Sequence, residues 1–267
     1  MFTLVSVDYT ENDTWFNLTP EDQTEFDMKD ALHMGGLADL NIYTAALVNE
    51  ILGWGYFPWD FLDTDGFLYG YPKMDGVVLY YRTLPGGDKA PYNLGATATH
   101  EVGHWLGLYH TFHNGCDVNN DFVDDTPAEA EAAPCCPIGR DTCPSPGLDP
   151  VENIMNHSDD ACRNQFTTGQ ATRMCQQWDT YRAELPTVKP TSVPTASTKA
   201  PTTALPTKVP TKPTASTKAP TKAKSTKAPA AGKDSKATKA PVPGKDSKAT
   251  KAPIAKAAKA NVAVFTR

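Results

Sequence analysis

The chain has 267 residues and a formal net charge of -6 that is distributed very unevenly. Residues 1–185 hold 29 acidic and 8 basic residues, whereas residues 186–267 hold 2 acidic and 17 basic residues. A run of about 18 apolar residues is absent, so the sequence predicts no membrane-spanning helix. All five tryptophans and all six cysteines lie in residues 1–185, where we expect one folded domain with the hydrophobic core.

The first half of this acidic part has the periodicity of a sheet with one short helix. Residues 1–10 alternate apolar and polar side chains, which predicts a half-buried strand. A helix is expected over residues 24–34, and the pair Gly35-Gly36 is expected to end it. Further strands are predicted at residues 40–45, 51–57 and 77–81.

The second half holds two predicted helices separated by a long irregular region. Residues 95–108 are good helix formers and end near a glycine, which favours a helix that stops there. Residues 111–165 are rich in glycine, proline, aspartate and cysteine and show little periodicity. A connection of that length is usually functional or cross-linked. Residues 167–184 return to helical spacing, with Thr167 or Thr168 as the helix cap.

From residue 186 the composition changes to threonine, proline, lysine, alanine and serine. The run Ser-Thr-Lys-Ala-Pro begins at residues 197, 216 and 225, and a ten-residue unit begins at Gly232 and again at Gly244. Such a segment buries too little apolar area to offset the entropy lost on ordering, so residues 186–267 are predicted to be a disordered basic tail. Its expected role is a stalk or a matrix-binding arm.

Six cysteines cluster downstream of the first helix of this second half, namely Cys116, Cys135, Cys136, Cys143, Cys162 and Cys175. An even, clustered set predicts disulfides and therefore an oxidising, extracellular compartment. Reduced thiols or a second zinc site are the alternatives, although no Cys-x-x-Cys pair is present. Sequons for N-glycosylation at Asn12, Asn17 and Asn156 are also typical of secreted proteins.

The run His100-Glu-Val-Gly-His104-Trp-Leu-Gly-Leu-Tyr-His110 carries the predicted chemistry. Two histidines four residues apart lie on one face of a helix and can bind one metal ion. The glycine before the third histidine allows the chain to turn and bring His110 in as a further ligand. Three neutral nitrogens leave one position for water, which is typical of a catalytic zinc site. Glu101 is the predicted general base, which takes the proton of the zinc-bound water and later donates it to the leaving nitrogen.

This run resembles the long zinc-binding motif of the metzincins. The segment around Met155, Asn-Ile-Met-Asn-His-Ser, is similar to the methionine turn of that clan. Flanking segments resemble the pappalysin-type metzincins, and most of all the cytophagalysin and ulilysin-like extracellular proteases. These segments are 94–97, 109–112, 125–127, 139–143, 146–150 and 165–170. The resemblance covers residues 1–183.

The resemblance implies an α+β fold with a mixed twisted sheet, helices, an active-site helix and an irregular, disulfide-linked lower subdomain. It also implies a signal, a pro-segment, a helix and a strand before residue 1, so the chain looks N-terminally truncated. The disulfides implied by the family are Cys116–Cys143 and Cys135–Cys162. Cys136 and Cys175 are then left to pair with each other, and the adjacent Cys135 and Cys136 are able to exchange roles.

Two further site features are implied by the family. It usually has tyrosine two residues after the turn methionine, where the side chain contacts the transition state, and here that residue is His157. An imidazole there can donate a hydrogen bond or titrate near neutral pH. Calcium is a second implied ion, and Asp121, Asp125 and Thr126 match the turns that bind it in ulilysin-like members. The alternative is a solvated acidic loop.

We therefore predict a secreted zinc endopeptidase whose extended substrate pairs with an edge strand at residues 51–57. The alternative function is a catalytically degenerate wall or matrix protein, tethered to anionic polysaccharide by its polycationic tail. The intact Glu101 and the three histidines argue against that alternative, because a binding module does not need the base. Neither a nucleic acid nor a membrane is an expected partner.

Overall fold

The computed structural model describes residues 2–61, 72–183, 237–239 and 259–266. In chain order its elements are β1 (Thr3–Glu11), α1 (Asp13–Phe16), β2 (Asn17–Leu18), α2 (Gln23–Leu32), β3 (Leu40–Leu47), β4 (Ile51–Gly55), β5 (Val77–Tyr80), α3 (Ala96–Trp105), α4 (Thr168–Gln177), β6 (Ala237–Lys239) and β7 (Lys259–Thr266). Short 3-10 turns lie at Pro72–Met74 and Tyr81–Thr83, and a π-helical turn at Trp178–Arg182 follows α4. No helix among the described residues has the length and apolar character needed to cross a membrane.

The strands form one mixed sheet in the order β1-β7-β3-β5-β4-β6, and β2 pairs with β3 outside this path. β3 and β5 are parallel, whereas β4 runs antiparallel to β5. β7 lies antiparallel between β1 and β3. This mixed sheet with its helices confirms the predicted α+β class.

Successive residues of the central strands face opposite sides of the sheet and build two hydrophobic clusters. On β5, Val78 packs in one cluster with Met28 of α2. Its neighbours Val77 and Leu79 pack in the other cluster with Trp105 of α3. Both faces of the central strands are therefore covered, and the helix that carries the histidine run lies on the second face.

The predicted helices and strands of residues 1–183 are confirmed, with small shifts of their ends. α4 begins with a capping box, in which the Thr167 hydroxyl accepts a hydrogen bond from Gln170 N at 3.0 Å. Residues 106–166 contain no helix or strand apart from one isolated bridge between Asn153 and Gln165, which confirms the long irregular region. The sequence analysis missed α1 and β2, because elements of four and two residues have no measurable periodicity.

The predicted boundary of the tail is wrong for residues 259–266, which form β7. Val262 and Val264 of this strand are 2% and 3% exposed, and they belong to the same cluster as Met28. Apolar residues at alternate positions fit a strand with one buried face, and they distinguish this stretch from the lysine-rich repeats before it. Apart from β6, the rest of the predicted disordered tail lies outside the described residues.

β1 lies where a strand was predicted, but it is not half-buried as expected. The apolar side chains of Leu4, Val5, Val7 and Tyr9 are between 44% and 67% exposed. Among the described strands, β1 pairs with β7 alone. Its attachment to the sheet therefore depends on β7.

β6 lies on the edge that was predicted to receive substrate. It is part of the first ten-residue repeat, and it runs antiparallel to β4 with Lys239 opposite Ile51 and Ala237 opposite Trp54. The prediction of an open edge at residues 51–57 is therefore wrong for this structure. Pairing of a substrate with β4 requires β6 to leave.

Two disulfides cross-link the irregular region, Cys116–Cys143 and Cys136–Cys162. The first was predicted and is confirmed. The second corresponds to the exchange of Cys135 and Cys136 that the sequence left open. The Cys135–Cys162 and Cys136–Cys175 bonds do not form, since Cys135 and Cys175 are exposed free thiols. The side chains of adjacent residues leave the backbone in different directions, so only one of the two neighbouring cysteines faces Cys162.

Candidate metal centre

The ring nitrogens of the three predicted zinc ligands converge on one point. His110 Nε2 lies 3.0 Å from His104 Nε2 and 3.2 Å from His100 Nε2. All three side chains are buried, with exposures of 0%, 1% and 6% in chain order. α3 places the first two on one face, as their spacing of four residues predicted.

Gly107 makes the turn that returns His110 to the helix. Its φ of 89° is in the left-handed region that glycine adopts without steric cost. α3 ends at Trp105, and Leu108 N then donates to Gly103 O at 2.9 Å. The third histidine therefore comes from the irregular region, whereas the first two come from a helix.

Hydrogen bonds determine which nitrogen of each helical histidine faces the cluster. His100 Nδ1 donates to Ile154 O at 2.7 Å, and His104 Nδ1 donates to Leu108 O at 2.8 Å. A carbonyl oxygen only accepts, so each Nδ1 carries the proton and each Nε2 presents a lone pair. Lone pairs that face another ring nitrogen at this distance are unfavourable unless a proton or a metal ion lies between them.

The nitrogen spacing fits a divalent metal ion. Nitrogens about 2.0–2.1 Å from a tetrahedral metal are about 3.3–3.4 Å apart, close to the spacing in the cluster. Burial lowers the pKa of His100 and His110 well below the ordinary value, and His104 lowers both further. Neutral imidazole is the form that binds a metal.

Glu101 is completely buried next to the first histidine, and it is the only acidic residue of α3. β4 runs along this side of the helix. A Cβ atom at Gly53 would lie 3.3 Å from Glu101 Oε1, and one at Gly55 would lie 2.7 Å from Glu101 O. The Glu101 side chain therefore packs closely against Gly53 of β4.

Met155, the residue of the predicted methionine turn, is fully buried and packs against α3. A Cβ atom at Gly103 would lie 2.4 Å from Met155 Sδ, so only glycine at that position of α3 admits the methionine. Thr111 N donates to Met155 O at 3.2 Å. The turn therefore contacts both the helix and the residue that follows the third histidine.

His157 extends the cluster beyond the three predicted ligands. Its Nε2 lies 3.2 Å from His110 Nε2, and one ring nitrogen each of His100, His110 and His157 lie within 4.8 Å of one another. Burial, and then the nearby Arg163, lower the pKa of His157 to about 3. The predicted option that His157 titrates near neutral pH is therefore wrong, and the ring is neutral at physiological pH.

A buried carboxylate that the sequence analysis missed joins the two halves of the irregular region. Glu129 accepts hydrogen bonds from Thr111 Oγ1 at 2.8 Å, from Asn156 Nδ2 at 2.9 Å and from Arg140 Nη1 at 2.6 Å. Burial raises the pKa of Glu129. Asn156 is 0% exposed, so the sequon predicted there is not accessible for glycosylation.

A buried ion pair that the sequence analysis did not predict holds the N-terminal end of α3. Asp160 Oδ2 accepts hydrogen bonds from Leu94 N at 2.8 Å and from Ala96 N at 3.3 Å. Its other oxygen pairs with the buried Arg163 at 2.5 Å, and Arg163 Nη1 donates to Asn156 O at 3.1 Å. The start of the helix and the methionine turn are therefore attached to one buried ion pair.

A second buried ion pair, which the sequence analysis also did not predict, holds the C-terminal end of α3. Arg182 Nε donates to Trp105 O at 2.7 Å, and its guanidinium pairs with Asp75 at 2.7 Å. The guanidinium also lies 3.6 Å from the centroid of the Trp105 ring. Burial lowers the pKa of Arg182. No spacing in the sequence relates these residues, since Asp75 is more than a hundred positions from Arg182.

The three residues predicted to bind calcium have different surroundings. Asp121 and Thr126 are buried, and burial raises the pKa of Asp121 to about 6. Asp121 Oδ1 accepts a hydrogen bond from Val123 N at 3.1 Å, and its Oδ2 is buried without a hydrogen-bond partner among the described residues. Asp125 is exposed, and its Oδ2 accepts a hydrogen bond from Gly169 N at the start of α4 at 2.8 Å. Asp125 therefore contributes to helix capping.

The chain is similar to known proteins. The family profile Peptidase_M43, described as pregnancy-associated plasma protein-A, matches residues 74–179. The chain is 49% identical over 183 residues to an extracellular metalloprotease of Neurospora crassa, and the match covers 68% of this chain and 61% of that protein. It is 44% identical over 183 residues to extracellular metalloprotease 1 of Coccidioides posadasii, covering 68% and 63%. The chain therefore matches about three fifths of the length of these relatives.

A solved structure is also similar. Mature mirolysin of Tannerella forsythia, in complex with a cleaved peptide, is 36% identical with a TM-score of 0.45. This match covers 53% of the present chain and 52% of mirolysin.

Proposed function

Because residues 74–179 belong to the Peptidase_M43 family, the pappalysins, we propose that the chain is a secreted zinc endopeptidase. The observation that carries this proposal is the convergence of three buried histidine nitrogens beside the buried Glu101 on the same helix. The curated relatives named above are called extracellular metalloproteases, which supports both the activity and the compartment. Two disulfides in the irregular region are in keeping with an oxidising environment.

We assign the zinc ion to His100, His104 and His110. Zinc bound there would polarise a substrate carbonyl and lower the pKa of water, as it does in catalytic sites with three protein ligands. The carbonyl oxygens of Ile154 and Leu108 keep the two helical imidazoles in the tautomer that offers Nε2. This support is expected to increase metal affinity, since such partners typically contribute 10- to 100-fold, an order-of-magnitude effect.

We assign proton transfer to Glu101. Its carboxylate accepts the proton of the attacking water and then donates it to the amine that leaves. The buried position between α3 and β4 supports this role, because it keeps the carboxylate away from bulk water.

Glu101→Gln tests the assignment. The variant keeps the shape of the side chain but cannot accept a proton, so we expect a loss of peptidase activity of about 10²–10⁴-fold on casein with zinc still bound. Glu131→Gln is the matched control, because Glu131 is 81% exposed at its side chain. Retention of a tenth of the wild-type turnover by the Glu101 variant would contradict the role of the base.

The same assay separates the enzyme from its rival, a degenerate protein that only binds a matrix. Casein hydrolysis by the full chain that stops on addition of a chelator and returns with zinc supports the protease. Zinc binding without hydrolysis would favour the rival. The location of the general base beside an intact ligand set argues for the protease, since matrix binding gives no reason to bury a carboxylate there.

Calcium binding near Asp121 is a second part of the proposal. The pKa of Asp121 is about 3.9 in the unfolded chain and about 6 in the folded protein. Above about pH 3.9 the unfolded chain ionises more readily, so this carboxylate lowers the free energy of unfolding there. Without calcium, Asp121→Asn should therefore unfold at a higher temperature than wild type at pH 7.5, with little difference at pH 3. Added calcium should raise the unfolding temperature of wild type only. An equal response of both proteins to calcium would refute the site.

The basic tail is proposed to bind anionic polysaccharide, on the ground of its 17 lysine and arginine residues against 2 acidic residues. A chain that ends at residue 185 does not test this, because it also lacks β7. An internal deletion of residues 200–220 keeps both described strands and removes 3 lysines. Earlier elution of this variant from a column of acidic polysaccharide supports the proposal, and identical elution counts against it.

A further inference from the structure

Aromatic rings extend from the metal centre to the surface of the protein. Phe57, which follows β4, is 5% exposed and packs edge-on against His104 with ring centroids 5.4 Å apart. Its other neighbour is Trp59, which stacks on it with centroids 4.8 Å apart. From Trp59 the rings continue outwards, with centroids of neighbours 5.4–6.0 Å apart. We name these outer rings the aromatic surface, and its members are Trp59, Tyr109, Phe122 and Tyr181.

The aromatic surface is accessible although its rings are apolar. Trp59, Tyr109 and Tyr181 are half-buried, and Phe122 is 49% exposed. Aromatic side chains bury a large area when they meet a partner, and they lose little freedom in doing so because few of their bonds rotate. Rings that stay in reach of solvent beside a proposed metal centre are therefore suited to bind another apolar group.

Two contacts fix the aromatic surface to the rest of the protein. On one side, Asp60 Oδ2 accepts a hydrogen bond from Phe57 N at 2.7 Å and closes the turn after β4. On the other side, Arg173 Nε donates to Gly107 O at 2.8 Å, and its guanidinium lies 5.4 Å from the centroid of the Tyr109 ring. The rings are therefore held in place before any partner arrives.

The direction of β4 places the aromatic surface on one side of the proposed base. Gly53 lies beside Glu101, because a Cβ atom at Gly53 would be 3.0 Å from Glu101 Cγ. Two residues later, a Cβ atom at Gly55 would be 3.6 Å from His104 Cβ, and Phe57 then contacts the His104 ring. β4 therefore runs along α3 from the proposed base towards the aromatic surface.

β6 shows the orientation that an extended segment takes on β4. The two strands are antiparallel, with Thr238 opposite Gly53 and the preceding Ala237 opposite Trp54. In a peptide that takes the place of β6 in this orientation, the residue opposite Gly53 lies beside the proposed base. Antiparallel strands pair residue by residue, so the residues two to four positions earlier in the peptide lie opposite residues 55–57. That part of the peptide is the one nearest to the aromatic surface.

We propose that a substrate peptide replaces β6 on β4 and that the aromatic surface binds one of its aromatic or large apolar side chains, two to four residues before the cleaved bond. The inference rests on the proposed peptidase function and adds a sequence preference to it. The chain's own tail is a less suitable occupant, because its repeat Ser-Thr-Lys-Ala-Pro has no aromatic residue and no large apolar one.

The test reads cleavage sites in a mixture of peptides from a digested cell extract, using the full-length protein with zinc and mass spectrometry. Trp59→Ala and Phe122→Ala remove rings of the aromatic surface, and the second change is at an exposed side chain in case the first variant folds poorly. Tyr81→Ala is the matched control, because Tyr81 is 44% exposed and packs on Phe16, outside the aromatic surface.

We expect wild type to prefer aromatic and large apolar residues two to four positions before the cleaved bond. A peptide with phenylalanine at the preferred position should be cut with a kcat/KM about tenfold above that of the glycine analogue, mainly through KM. Both variants of the aromatic surface should reduce this ratio to about threefold or less, whereas Tyr81→Ala keeps it. A preference that both variants retain, or one found only after the cleaved bond, would overturn the inference.

Binding to Glu101→Gln separates this inference from the proposed activity. The same peptide mixture is passed over the immobilised variant, which measures binding without hydrolysis. If wild type cuts nothing while the retained peptides are rich in aromatic residues, and Trp59→Ala in this background removes that enrichment, only the proposed function fails. If wild type cuts peptides and no enrichment is found, only the inference fails. Retention of a Ser-Thr-Lys-Ala-Pro peptide in preference to aromatic peptides would overturn it in favour of the tail.

Discussion

Deletion of residues 259–267 tests whether β7 is part of the folded domain or of a separate tail. The deletion removes Val262 and Val264, which are almost fully buried between β1 and β3, and it leaves β1 without a partner among the described strands. Burial of one valine side chain contributes about 1.5–3 kcal/mol, so the two valines alone contribute about 3–6 kcal/mol. A domain of this size has a stability of about 5–15 kcal/mol in total.

The expected result is a large fall in the unfolding temperature. A change of 1 kcal/mol shifts the midpoint by about 2–4 °C for a domain of 150–250 residues, so the deletion should lower it by at least about 6–12 °C. The internal deletion of residues 200–220 is the control, because it shortens the same low-complexity region and keeps β7. Thermal unfolding followed by circular dichroism, with zinc present for both, gives the comparison. Equal midpoints for the two deletions would refute the place of β7 in the sheet.

Three further outcomes follow from contacts described above. Thr238→Pro should raise kcat/KM on an extended peptide several-fold, because proline weakens the pairing of β6 with β4. The matching Thr250→Pro in the second repeat is the control. Equal values for both variants would count against competition between β6 and the substrate for β4. Arg182→Met should lower the free energy of unfolding by about 3–5 kcal/mol, because it leaves a buried carboxylate unpaired; a loss below about 1 kcal/mol in urea unfolding would contradict that ion pair. Peptide mapping without reduction should find free thiols at Cys135 and Cys175 alone, and a bond between Cys135 and Cys162 would disprove the observed pairing.

The histidine run was predictable because its geometry is local. Two histidines four residues apart and a following glycine determine where three nitrogens point, whatever the rest of the fold does. Met155 was singled out by the resemblance to a known family, and the structure shows that Gly103 of the same histidine run leaves space for it. The resemblance to a known family added the location of His157, although its distance of 3.2 Å from His110 needed the structure.

The parts that escaped prediction depend on partners far away in the chain. β7 lies in a lysine-rich region whose composition predicts disorder. Its pairing partners β1 and β3 are more than two hundred residues away in the sequence. Glu129 has an ordinary sequence context, and only its contacts with Thr111 and Asn156 reveal its position. Whether Cys135 or Cys136 pairs with Cys162 depends on the direction of the side chain, which the sequence pattern does not reveal.

The two origins of the histidines suggest an order in which the centre is assembled. His100 and His104 need only one helical turn, so they come together as soon as α3 forms, while His110 lies in a region without helix or strand. That region acquires its shape from Cys116–Cys143 and Cys136–Cys162 and from buried carboxylates such as Glu129. The position of His110 beside that pair therefore depends on two covalent cross-links that the helical pair itself does not need.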